Sequence, residues 1–202
     1  MGFIARRGAV SDKSYTVSGK TLDEINKDMA KKGPPDPNES KKYSGSCQGK
    51  LEIDIKPKDI EHEVKSNGGK FAAIARLKSG YITSTAVITA PKLASDKGLS
   101  DAARKEWNRF IVFVGVHERG HADSYYGLAV KVMEDMSGMS GTGTGKSEDE
   151  AKTAATKALF ATITAKYGGS ALADLIKADA KAYDSKTKHG ESQGALLDAS
   201  IP

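Results

Sequence analysis

Cysteine is almost missing from this chain: Cys47 stands alone among 202 residues. An internal disulfide is therefore impossible, and so is a zinc site built from several thiolates. Long apolar runs are missing too. The longest, FIVFVGV at 110–116, is far short of the roughly 20 residues that cross a bilayer, which excludes stable membrane insertion by a helix. Charge of one sign is scarce: 31 basic and 26 acidic side chains leave a net +5. The lysines are spread out, with no basic block and no arginine–aromatic interleaving, so no nucleic-acid partner is expected. The first twenty residues, MGFIARRGAVSDKSYTVSGK, lack the apolar stretch and small-residue cleavage site of a signal peptide. Either the protein is cytoplasmic or this is a mature chain whose export signal has been removed. What is present, 38% hydrophobic and 28% charged residues, suits one globular domain over 1–202, with 1–14 a flexible N-terminus.

The pattern along the chain changes period once. Thr21 and Glu24 have capping-box spacing before a short helix that Gly33, Pro34 and Pro35 bring to an end. A polar loop to about residue 46 contains Asn38-Glu39-Ser40, a glycosylation sequon. Four strand-like segments follow: LEIDI (51–55), IEHEV (60–64), KFAAIARL (70–77) and YITSTAVITA (81–90), with Asn67-Gly68-Gly69 a turn and Pro91 closing the last. From an N-cap at Ser100 the period becomes helical to about Gly138, with Trp107, Phe110, Ile111, Val114, His121 and Tyr125 on one stripe. SGMSGTGTGKS reads as a flexible glycine-rich loop. It is not a phosphate-binding loop, because Ser140 stands where that motif requires glycine. Two further helices start at Ser147 and Ser170. Strands first and helices second make the fold class α+β.

Chemistry concentrates in HERGH, residues 117–121. Residues four apart on a helix differ by about 40° in direction and 6 Å in height, so His117 and His121 can hold one tetrahedral Zn²⁺. Glu118, about 100° away, reaches a water without ligating. The imidazoles hold the metal, the metal acidifies water, and the carboxylate takes the proton. A third protein ligand is needed. Asp123 points away, and Glu134 lies about 20 Å along the axis. The metzincin continuation fails at Ser124 and Gly127. Glu148 and Glu150 are better read as first-turn charges that favour a helix dipole. Two histidines remain. His62 shares the inward face of a strand with Ile60 and Val64 and reads as a hydrogen-bonded core residue, while His189 taken alone reads as an exposed tail residue.

The phrases YTVSGKTLDEINKDM, KKGPPDP, WNRFIVFVGVHERGHADSYY and YDSKTKHG resemble a bacterial domain-of-unknown-function family described as predicted secreted zinc-dependent proteases. The resemblance runs from Tyr15 to about Gly190, and only the glycine-rich SGMSGTGTGKSEDE has no counterpart in it. Its sharpest motifs are HExGH, matched at 117–121, and YDxxTxHG, matched by Tyr183, Asp184, Thr187, His189 and Gly190. It implies that His189 joins His117 and His121 around one Zn²⁺ per chain, and that the protein is secreted or periplasmic.

The expectation is thus a zincin-like α+β metallopeptidase acting on a protein or peptide. Glu118 is its general base, and Tyr183 donates to the oxyanion. Asp184 orients a ligand histidine. The threonine-rich strand 81–90 would be an edge that pairs with the substrate. A non-proteolytic zinc hydrolase, such as a cell-wall amidase, and a zinc-stabilised binding module without activity are the alternatives.

Overall fold

The computed structural model describes residues 2–35 and 42–202; the Asn38 sequon lies outside them. The β-rich part comes first and the helical part second, so the α+β expectation holds. The elements are β1 (Phe3–Val17), α1 (Leu22–Lys32), β2 (Ser46–Asp54), β3 (Ile60–Asn67), β4 (Lys70–Leu77), β5 (Gly80–Leu93), α2 (Asp101–Ser137), β6 (Ser140–Gly145), α3 (Glu148–Tyr167) and α4 (Ala171–Thr187). Residues 1–14, expected as a flexible terminus, include most of β1. Pro91 does not close β5, which runs on to Leu93. One sheet has the order β1-β5-β2 and the other β3-β4-β6. β5 is the central strand of its sheet, which overturns the expectation that 81–90 is an edge open to a peptide. Its buried alternation of Ile82, Ser84, Ala86 and Ile88 is what an inner strand requires.

The chain divides into two compact units, 1–8 with 50–84 and 126–176, and 9–49 with 85–125 and 177–202. The division falls inside several elements, and each unit is described by itself.

In the first unit, β3 and β4 form an antiparallel hairpin in which Asn67 pairs with Lys70 across Gly68-Gly69. Both glycines have positive φ, +58° and +77°, the turn that the sequence signals. The run at 140–145, expected as a loop, is the strand β6, paired with β4 from Phe71↔Gly145 to Arg76↔Ser140. The reason lies in the alternation. Gly141 and Gly143 face α3 so closely that a Cβ on either would strike its backbone at Ala155. Ala151, Ala155 and Leu159 are wholly buried on that helix face. They join Ala73, Ala75, Ile82, Leu128 and Val132 in one core. Ser147 caps α3 by accepting from the Glu150 N–H at 3.2 Å. Here His62 meets the Thr156 hydroxyl at 2.8 Å, the satisfied core histidine that its strand position suggests.

In the second unit, Thr21 caps α1 by accepting from the Glu24 N–H, and Leu22, Ile25 and Met29 turn inward. The Ser100 hydroxyl accepts from the Ala103 N–H at 3.0 Å and starts α2. Trp107, Phe110 and Val114 then pack with Val17, Leu99, Ala103 and Leu197 into a second core. Past α4 the chain turns through a short 3-10 helix at Glu191–Gln193 and ends in an irregular segment.

Candidate functional site

The second unit holds every residue of the expected site. His117, Glu118 and His121 are 6%, 4% and 5% exposed. Each can offer one donor atom, and those atoms lie within 4.8 Å of one another. The α2 stripe explains this: the step from Phe110 and Val114 to His117, His121 and Tyr125 keeps one helix face turned inward, so these polar groups are carried into the interior by apolar neighbours. The two imidazoles meet edge-on, centroids 4.8 Å apart. Gly45 lies against the Glu118 carboxylate, leaving no room for a Cβ. Burial pushes Glu118 up to about 7; the neighbouring His117 pulls it down and Asp184 adds to the rise. The same burial, with Glu118 contributing, pushes the Cys47 thiol up to about 12, so it is no ready thiolate.

The end of α4 closes over this face. The Tyr183 ring stacks on His117 (5.4 Å, 24°) and meets His121 at an angle (4.6 Å, 60°). Its hydroxyl sits on Gly120 where a Cβ would be, which accounts for glycine inside HERGH. Asp184 Oδ1 lies 3.2 Å from His117 Nε2, 3.0 Å from His121 Nε2 and 3.7 Å from His189 Nδ1. Burial opposes the Asp184 charge, yet hydrogen bonds from both α2 histidines outweigh it and hold its carboxyl well below the usual range. Beyond Asp184 the backbone turns sharply. The His189 N–H donates to the Asp184 carbonyl at 2.9 Å, and Lys188 and His189 both take φ +51°. Gly190 follows at φ +84°, and a Cβ there would lie 3.0 Å from the His117 ring. Glycine is the residue that meets both conditions. The His189 ring stacks on Tyr43 at 4.8 Å, and its side chain is 37% exposed.

Some members of this assembly carry no sequence signal. Gln193 Oε1 accepts from His117 Nδ1 at 2.9 Å while its Nε2 donates to the Tyr183 hydroxyl at 3.1 Å. This fixes the proton of His117 on Nδ1, turns Nε2 towards Asp184, and leaves the Tyr183 proton free to donate elsewhere. Arg109 ties the following segment to α2. It pairs with buried Glu106 at 2.7 Å and donates to the carbonyls of Gly194 (2.7 Å) and Leu196 (2.6 Å). Only the contacts reveal that Arg109 serves the site from eight residues before His117.

The donor set suits a divalent transition metal: neutral imidazole nitrogen and carboxylate oxygen are the ligands zinc takes. His121 Nδ1 is buried and has no hydrogen-bond partner among the described residues; the other ring nitrogen, Nε2, faces Asp184.

No helix among the described residues is long and apolar enough to cross a membrane. No curated protein and no solved structure shows significant similarity to the chain. A family model does match, over residues 12–190, with both HERGH and YDSKTKHG inside the matched region and Gln193 beyond it. The chain belongs to the family described as bacterial protein of unknown function (DUF922).

Proposed function

We propose that this protein is a zincin-like zinc metallopeptidase that hydrolyses peptide bonds. The observation that carries this reading is the burial of His117, Glu118 and His121 on one face of a continuous helix, with their donor atoms within 4.8 Å and Tyr183 and Asp184 packed over them. His117 and His121 hold the ion, and the third protein ligand comes from the turn after α4, where the family motif implies His189. Bound there, zinc supplies Lewis-acid charge that polarises the scissile carbonyl and lowers the pKa of water.

The chain's own groups do the rest. Burial raises the proton affinity of the Glu118 carboxylate, the direction that suits a general base. Glu118 takes a proton from the attacking water and delivers it to the leaving amine nitrogen. The Tyr183 hydroxyl accepts from Gln193 and so presents its own proton to the developing oxyanion. The reading extends to protein or peptide substrates outside the cytoplasm, which the resemblance to a family described as secreted supports.

The test is Glu118→Gln, isosteric but unable to accept the proton. It should keep its zinc and lose hydrolysis in a peptide-library cleavage screen by about 10²–10⁴-fold. Undiminished cleavage removes Glu118 as the base. A wild type that takes up no zinc removes the metal reading.

A further inference from the structure

The last turn of α4 and the turn after it offer two groups, Asp184 and His189, to a metal held by His117 and His121, and their geometry is unequal. A tetrahedral site with bonds of about 2.0–2.2 Å has donor–donor edges of about 3.3–3.6 Å. Asp184 Oδ1 stands 3.2 Å from His117 Nε2 and 3.0 Å from His121 Nε2, one atom close to that spacing from both nitrogens. Its side chain is 14% exposed beside imidazoles at 8% and 6%, so it shares their enclosure. His189 differs on each count. Its Nδ1 stands 3.7 Å from Asp184 Oδ1, its side chain is 37% exposed, and its ring lies flat on Tyr43.

Two kinds of bridge can hold these atoms together, and they have different consequences. If protons on the two Nε2 atoms hold the cluster, Asp184 is a hydrogen-bond acceptor and its loss leaves His117 and His121 as two good metal ligands. If a metal holds it, removing Asp184 removes a ligand.

We infer that Asp184, through Oδ1, is the third protein ligand of the metal site, making the set His117, His121 and Asp184. The inference rests on the metal reading above and replaces only its third member. In the turn that follows, the His189 N–H donates to the Asp184 carbonyl, residues 188–190 are left-handed, and the His189 ring stacks on Tyr43. One protein carboxylate and two imidazoles leave a fourth position open, as a hydrolytic site requires.

The experiment measures Zn²⁺ affinity by competition with a chromophoric chelator for the wild type, Asp184→Asn and His189→Ala, each first checked for folding by circular dichroism. Loss of a partner behind the ligands costs about 10–100-fold in affinity. Asp184→Asn is expected to lose more than about 100-fold, and His189→Ala less. An Asp184→Asn loss of about 100-fold or less, with wild type still binding zinc, overturns the assignment while leaving the metal reading intact. A wild type that binds no zinc fails the metal reading itself. X-ray absorption of the zinc-loaded wild type needs no variant. Two imidazoles with one carboxylate oxygen are expected, and three imidazoles would return the position to His189.

Discussion

Glu118 shows how much of this site is set by burial. Its proton affinity rises from the ordinary carboxylate range to about 7 because the α2 face removes it from water. A carboxyl whose folded-state pKa is raised contributes most stability below the unfolded value near 4.5, and that contribution is lost as pH climbs through 7. In the metal-free protein, Glu118→Gln should therefore melt nearly level with wild type at pH 5 and become the more stable of the two by pH 8. The limit is on the order of 3 kcal/mol. Thermal melts of both proteins across that range check it, and a gap that does not widen with pH would show that the carboxylate is well solvated. Gln193 acts at the same scale. Gln193→Ala removes the acceptor of His117 Nδ1 and the donor to Tyr183 together. Zinc affinity should fall by about 10–100-fold, with little change in secondary structure by circular dichroism.

At the scale of elements, the capping residues were legible and the glycine-rich segment was not. Thr21, Ser100 and Ser147 each do what a local reading asks of an N-cap, because a cap is a contact within four residues. The run at 140–145 looks like a loop because glycine is a poor strand former. It becomes β6 because β4 pairs with it and α3 leaves no space for side chains. Gly143→Val should accordingly destabilise the protein in spite of valine's higher strand propensity. A cost of about 1–3 kcal/mol, the usual range for overpacking, is expected in urea unfolding. A neutral or stabilising result would mean that β6 can move off the helix. β5 teaches the converse. Its threonine-rich alternation is equally compatible with an edge and with an inner strand, and sheet order decides between them.

At the scale of the whole chain, the site depends on returning distant segments to one helix face. Gln193 is 76 residues from His117 and Asp184 is 63 from His121. Arg109 helps secure that return through Glu106 and the carbonyls of Gly194 and Leu196. Replacing it with alanine frees two carbonyls and leaves Glu106 buried beside only the Asp198 N–H. Arg109→Ala should make residues 191–202 readily cut in limited proteolysis, because that segment's protection rests on these bonds. Unchanged resistance would show that Leu197 packing alone holds the segment.

The sequence by itself determined the strand and helix periods, the caps, the HERGH pair and the family, since each is written in neighbouring residues or in a motif of fixed spacing. It also supplied the two segments, 117–121 and 183–190, that the site is made from. Tertiary structure decided which atoms meet. It seated Tyr183 on Gly120, turned Asp184 Oδ1 to both Nε2 atoms, laid His189 on Tyr43 and brought in Gln193. The physical reason is range. Propensity and capping act within a turn or two of chain, whereas the order of groups around a buried centre is set by packing and hydrogen bonds between segments about seventy residues apart.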